Sequence, residues 1–284
     1  MKGASLMYDF GSGEVAAYKW INADGRAGGI VAASAMVADS ASIGDGAVIS
    51  PGASIGDGAS IGEDASIEAY ASIGPGAVVA DMAAIGYRAT IGKDASVGED
   101  ASIGYRAVIG DGAVIRPGAS IGDGASIGED ASIEAYASIG DMACIGAYAV
   151  IGDGAVIGED ASIGEDASIG DRAVIGRGAT IGYRASIGPE AIIGDDAEIE
   201  ADDWYISGGP CGSRDAMWTA VHSREHGLRW WVGCQRGITT DDLLAAVQET
   251  HSNNEHARAY RMAVQYVVTR PEYLRRIAQE EISE

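Results

Sequence analysis

The sequence predicts an all-β solenoid, a triangular parallel β-helix of about nine coils, followed by a small α+β domain made of a β-hairpin and two or three helices. Two observations carry this. Ala recurs every six residues from Ala35 through Ala197, 28 times, and each Ala is followed two places later by Ile or Val. After Glu200 the period stops and the composition changes, with four of the five Trp and all four His lying beyond it. The chain therefore divides into an N-terminal cap (1–34), a hexapeptide-repeat rod (35–200) and a C-terminal domain (201–284).

Each hexad combines a short strand with a corner. In "ASI" the alternation of side chains along a strand sends Ala and Ile inward and Ser outward. Triplets such as "GDG" and "GED" supply the turn. Three sides close one coil, and stacked coils pair through parallel backbone hydrogen bonds, so that Ile rests on Ile. At about 4.8 Å per coil the rod is ~45 Å long. Each buried Ile or Val contributes roughly 1.5–3 kcal/mol before chain entropy is subtracted.

An unbroken [Ile/Val]-Gly-x-x-Ala-x repeat resembles the hexapeptide-repeat superfamily, and the resemblance, not the spacing, implies a left-handed β-helix. It also implies acyl transfer or carbonic anhydrase chemistry, which in that superfamily generally uses His as general base or zinc ligand, often on loops extruded from the coil. No His lies between residues 35 and 200, and no loop interrupts a hexad. On that ground the reading is non-enzymatic, with no catalytic residue, no cofactor and no metal; a hexapeptide-repeat acyltransferase is the least favoured alternative. Outward Thr is confined to Thr90 and Thr180, too few for an ice-binding array.

The 22 residues 53–74 return unchanged at 119–140, displaced by 66 residues. That offset is not a multiple of the eighteen residues in a coil, so matching letters face different sides. The copy preserves framework and does not build a site confined to one face. Two alignments do share a side. Tyr87-Arg88 and Tyr105-Arg106 are eighteen apart and stack on one corner, with Tyr70 one coil earlier. Val78, Val114 and Val150 are spaced by 36 and share one outward face, the candidate contact of a homotrimer.

Charge is uneven along the chain. Residues 37–200 carry 7 basic and 27 acidic groups, and residues 201–284 carry 9 and 12. Duplex DNA would carry ~26 negative charges over ~45 Å of axis. The rod's net −20 is comparable. It therefore excludes direct nucleic-acid binding by the rod and raises a DNA-mimic inhibitor of a DNA-binding protein as one alternative. Charge also keeps a stack of strands soluble and apart. No run of eighteen apolar residues and no signal-peptide pattern occurs, and the three Cys are scattered. The expectation is a cytoplasmic protein without membrane contact and without a disulfide framework.

The two ends resemble phage and prophage hexapeptide-repeat proteins. At the N-terminus Tyr8, Asp9, Phe10, Gly11 and Gly13 match a Tyr-Asp-Phe-Gly-x-Gly leader, and Gly28, Gly29, Val31 and Ala32 match the segment that enters the repeat. At the C-terminus Gly209, Pro210, Gly212, Ser213 and Arg214 match a Gly-Pro-x-Gly-Ser-Arg signature. The stretch 215–234 reads as two strands around "SREHG", "TTDDLLAAVQETH" as a helix opened by a Thr239–Asp242 capping box, and "NNEHARAYRMAVQYVV" as a second, with Pro271 starting a third. Arg214, Trp218, His222, Arg229, Trp231 and Arg236 offer guanidinium donors and ring faces for a phosphorylated aromatic ligand. Cys211, His222, His226 and Cys234 match no standard zinc spacing. The main expectation is a phage-type binding or scaffold protein whose acidic rod displays the C-terminal domain to a protein partner or a small phosphorylated ligand. Sequestration of a nucleotide signal is a further alternative.

Overall fold

The computed structural model of the chain describes residues 2–200, 203–211, 216–223, 226–232, 235–252, 254–271 and 273–275. Three strands open it: β1 (Lys2–Asp9), β2 (Glu14–Ile21) and β3 (Ala27–Ala32). Twenty-eight two-residue strands follow, from β4 (Met36–Val37) to β31 (Glu198–Ile199). They distribute over three sheets of 12, 10 and 9 strands, the largest including β1–β3. From β3 onward neighbours within these sheets are eighteen residues apart and parallel, as in Ser54↔Ser72 and Ile55↔Ile73. The β-solenoid of about nine coils is therefore as the hexad predicts.

Ala and the aliphatic residue point inward along the whole rod; Ala107 is 0 % and Ile109 is 1 % exposed. Every rung is tied to the next by the same pair of bonds. The Ser54 N–H donates to Ala71 O and the Gly56 N–H to Ile73 O, both at 2.9 Å. Gly follows the aliphatic residue because coils approach closely there: a Cβ on Gly110 would lie 2.7 Å from the Glu129 nitrogen and the Gly128 carbonyl carbon. From Gly46 onward the residue before each repeat Ala sits in the left-handed region, with φ of +68° at Gly112 and +52° at Asp130.

Acidic side chains complete the corners. Asp123 Oδ1 accepts from the Tyr105 N–H at 2.7 Å, and Asp141 Oδ1 from the Asp123 N–H at 2.8 Å. Asp81, Asp111, Asp171 and Asp195 do the same one coil above Glu63, Lys93, Asp153 and Arg177. These carboxylates answer corner N–H groups that the ladder leaves over.

The N-terminal cap extends the largest sheet sideways. β1 and β2 are antiparallel, β2 and β3 are antiparallel, and β3 runs parallel to the strand Val48–Ile49. Gly29 lies against the Ala47 carbonyl, so closely that a side chain would overlap it. Asn22 covers the first strand of the nine-stranded sheet: its Nδ2 donates to Ile43 O and its Oδ1 accepts from the Ile43 N–H, both at 2.9 Å.

The C-terminal domain lies across the other end. The hairpin read from the sequence is the centre of a four-stranded antiparallel sheet, β32 (Trp204–Cys211), β33 (Ala216–Ser223), β34 (Gly227–Val232) and β35 (Gln235–Ile238), followed by α1 (Thr240–His251) and α2 (Glu255–Val268). Thr239 caps α1 by accepting from the Asp242 N–H at 3.1 Å, and Asn254 caps α2. One face of the sheet, with Val221 and Trp231, joins the rod core, and the other, with Trp218, Ala220 and Trp230, packs on Leu243, Val247 and Val264. The rod-facing side chains also satisfy the last coil. Tyr205 Oη accepts from the Gly188 N–H at 2.8 Å, and Ser207 Oγ from the Ile192 N–H at 3.2 Å. Thr219 Oγ1 accepts from the Gly194 N–H at 2.9 Å and donates to Ile192 O at 3.3 Å, while Trp231 Nε1 donates to Asp196 O at 2.9 Å.

Two stability effects follow from this construction. Ile121→Ala opens a cavity between rungs and lowers stability by about 2–5 kcal/mol, whereas Ser120→Ala beside it stays within about 0.5 kcal/mol, as measured by chemical denaturation. Thr219→Val strands two backbone groups of the final coil and costs about 1–3 kcal/mol, read as a lower Tm; an unchanged Tm would mean that the cap does not answer those groups.

Candidate functional site

The residues expected to grip a ligand at the C-terminus are not brought together. Trp218 and Trp231 are each 7 % exposed and lie on opposite faces of the sheet, one against the helices and one against the rod. His222 is buried on the helix side, with its ring 5.3 Å from that of Tyr273. Arg229 is half-buried opposite Val221 on the rod-facing side. Arg214, Cys234 and the side chain of Arg236 lie outside the described residues. Val78, Val114 and Val150 share the nine-stranded sheet in alternate coils, separated by Ser96 and Ser132. Val108, Val156 and Val174 are also exposed, on the other two sheets.

A cleft forms instead at the other end, where the hairpin of the cap overhangs one corner of the rod. Its volume is about 620 Å³. The turn "DFGSG" builds one wall. Asp9 Oδ1 accepts from the Gly11 and Gly13 N–H groups at 2.8 and 2.9 Å, and both glycines have φ near +100°, at +94° and +104°. That geometry holds Tyr8 and Phe10 edge to face, with ring centroids 4.8 Å apart, and Phe10 packs onto the rod core. The corner supplies the other wall, with Tyr70 and Tyr87 at 5.6 Å edge to face and Tyr105 stacked beyond Tyr87 at 5.8 Å. Ser50, Ser66 and Glu68 line the space between. Glu68 Oε2 accepts from the Tyr87 N–H at 2.8 Å, which fixes its carboxylate at the rim.

The aligned Tyr-Arg pairs form the ladder read from the sequence. The Arg88 guanidinium lies 5.2 Å from the Tyr87 centroid and 5.9 Å from that of Tyr70, and Arg106 lies 5.3 Å over Tyr105. Neither Arg88 nor Arg106 makes an ion pair among the described residues. From the sequence Tyr8 and Phe10 belong to the leader alone, and Ser50 and Glu68 carry no site expectation. Ser50 and Glu68 stand where most hexads have Gly, as do Ala38, Ala80, Arg116, Glu134 and Glu200 elsewhere on the rod.

The acidic surface acts on its own phenols. Tyr148 sits between coils carrying Glu129, Asp130, Glu165 and Asp166, and the negative field, led by Glu129, holds its pKa above the usual phenol range. The neutral form therefore persists to higher pH. Glu129→Gln lowers that pKa, and added salt lowers it further, as followed by NMR titration of the Tyr148 ring; a pKa unmoved by either would remove the field as its cause.

Comparison with known proteins bears on the rod. The family model described as bacterial transferase hexapeptide (six repeats) matches residues 106–140 and 136–171. Among solved structures, the UDP-N-acetylglucosamine acyltransferase from Campylobacter jejuni is 21% identical over 58% of this chain and 72% of that one, with a TM-score of 0.45. That of Francisella novicida is 16% identical over 81% and 89%, with a TM-score of 0.41. That of Bacteroides fragilis is 17% identical over 81% and 94%, with a TM-score of 0.35. No curated protein matches the chain in sequence.

These findings correct the expectation of a non-enzymatic phage-type scaffold, and with it the exclusion of enzyme activity. The model that matches the central coils is one of bacterial transferases. The exclusion rested on the absence from the coils of His and of any loop interrupting a hexad. Among the described residues no helix is long and apolar enough to cross a membrane. The rod is a left-handed β-helix whose central coils, residues 106–171, match the hexapeptide-repeat model.

Proposed function

We propose that the chain is a hexapeptide-repeat acyltransferase, with the Tyr-lined cleft as the place where its acyl acceptor binds. The observation that carries this reading is the match of the bacterial transferase hexapeptide model to the central coils. The cleft supplies what acyl transfer requires: a concave space of small-molecule size, ring faces to hold the acceptor and a fixed carboxylate at its rim. With no His between residues 35 and 200, proton transfer on the rod falls to another group. Glu68 takes that role. Its free oxygen accepts the proton of the acceptor's nucleophile as that atom attacks the carbonyl of an activated acyl donor such as a thioester. The carbon–sulfur bond then breaks and the departing thiolate is protonated.

The resemblance of the leader to phage hexapeptide-repeat proteins supports a phage-type origin for this enzyme. The Val78, Val114 and Val150 stripe remains our reading of the contact between copies. Val114→Asp would then shift the sedimentation of the protein toward a smaller species.

Acyl thioesters incubated with the chain and a panel of amine and hydroxyl acceptors are expected to release free thiol in step with product. Glu68→Gln should reduce kcat/KM by about 10²–10⁴ while leaving the thermal unfolding of the rod unchanged. If no acceptor is acylated from any thioester, the proposal fails. A fully active Glu68→Gln would remove Glu68 as the base.

A further inference from the structure

We infer that the cleft under the N-terminal hairpin binds an organic cation, and that the acyl acceptor is a primary amine carried by that cation. The acyl-transfer step rests on the function proposed above; the binding site does not. Four aromatic rings, those of Tyr8, Phe10, Tyr70 and Tyr87, line the cleft, and the charged residues among its lining are Asp9 and Glu68. Both are carboxylates. Ring faces carry negative potential, and a cation within about 6 Å of a centroid gains roughly 0.5–2 kcal/mol, more as water is excluded. Rings combined with carboxylates select an ammonium group over a neutral or anionic one.

Two further observations agree. The Arg88 guanidinium already lies 5.2 Å from the Tyr87 centroid and 5.9 Å from that of Tyr70, so these rings accept a cation from the chain itself. The rod beneath the cleft carries net −20, a field that concentrates cations at its surface and repels phosphates and carboxylates. An anionic ligand would have to approach through that field and settle beside Asp9 and Glu68. A cationic one is drawn to the same place.

The chemistry closes on this acceptor. Glu68 removes one proton from the bound ammonium and passes it to solvent, leaving a neutral amine with a lone pair. The nitrogen attacks the thioester carbonyl and a carbon–nitrogen bond forms. The carbon–sulfur bond breaks with its electron pair on sulfur, and the thiolate takes the second proton from nitrogen. Amide, thiol and one released proton are the products.

Binding and transfer can be read separately on the full-length protein. Calorimetry at about 0.15 M salt, which screens diffuse attraction beyond ~8 Å, would use phenyltrimethylammonium as a cation that cannot be acylated and benzoate as its anionic counterpart. We expect saturable binding of the cation, one per chain, and none of benzoate. Glu68→Gln and Tyr87→Leu should each weaken binding by about tenfold, corresponding to about 1.4 kcal/mol. Glu99→Gln, on another corner, should leave it unchanged, and Arg88→Ala, which removes the competing guanidinium, should tighten it. Circular dichroism checks that each variant is folded. Benzoate binding without cation binding, or equal cation binding by Glu68→Gln and the parent, overturns the site. With spermidine and an acetyl thioester, N-acetylspermidine is the expected product. Cation binding without acylation of any acceptor would sink the acyltransferase reading and leave the binding site standing. Acylation of hydroxyl acceptors without cation binding would sink this inference alone.

Discussion

The structure depends on one constraint: each coil must present its backbone donors in register with the acceptors of the next, eighteen residues on. The pair of bonds from Ser54 to Ala71 and from Gly56 to Ile73 recurs along the rod, and it places Ile over Ile and Ala over Ala. Because the register never shifts between coils, every position in the coil becomes a column running along the rod. A column at a corner is a surface whose chemistry is written one residue per coil. The Tyr70, Tyr87 and Tyr105 ladder is such a column, and so are the carboxylates around Tyr148.

The same constraint accounts for part of the acidity. Parallel strands two residues long leave corner N–H groups outside the ladder, and Asp is short enough to reach back one coil to them. Asp141 bonds the Asp123 N–H, and Asp123 in turn bonds that of Tyr105. Each such bond joins a charged acceptor to a backbone donor and is stronger than a neutral one. A line charge comparable to that of duplex DNA thus has, in part, a local structural cause. Repulsion between stacked carboxylates opposes it, and exposed pairs such as Arg177 with Glu159 at 3.3 Å offset little of that repulsion. What remains is a field that acts on any ligand approaching the rod.

Much of this was legible in the sequence, and the part that was not has a common reason. A strict period determines its own geometry, so the rod, its inward Ala and Ile and the shared corner of Tyr87-Arg88 and Tyr105-Arg106 follow from spacing alone. Local rules also sufficed for α1, where Thr239 and Asp242 form the expected cap. The ends obey no period. Trp231 looked like a ring face for a ligand, yet its indole N–H is committed to Asp196 O and its ring to the rod core. Tyr8 and Phe10 looked like part of a leader, and only the lateral return of the hairpin sets them against Tyr70. Loss of Gly at Ser50 and Glu68 gave no distinguishing signal, because Ala38, Ala80, Arg116 and Glu134 depart from Gly in the same way.

The two caps solve one problem in different ways, and that difference decides where the cleft lies. An open coil end exposes a row of unpaired backbone groups. At the C-terminal end a sheet lies across the coil and answers them with the hydroxyls of Tyr205, Ser207 and Thr219, burying its aromatic residues as it does so. At the N-terminal end the chain adds strands to one sheet only and covers another with the Asn22 amide. Adding strands to one side makes an overhang, and the overhang meets the corner where Tyr70 and Tyr87 project. A lid that seals an end leaves no cleft, whereas a hairpin that continues one wall of a triangular rod leaves a recess beside it. The recess on this rod is therefore tied to its asymmetric end, and the regular coils beyond hold that corner rigid and charge its surroundings.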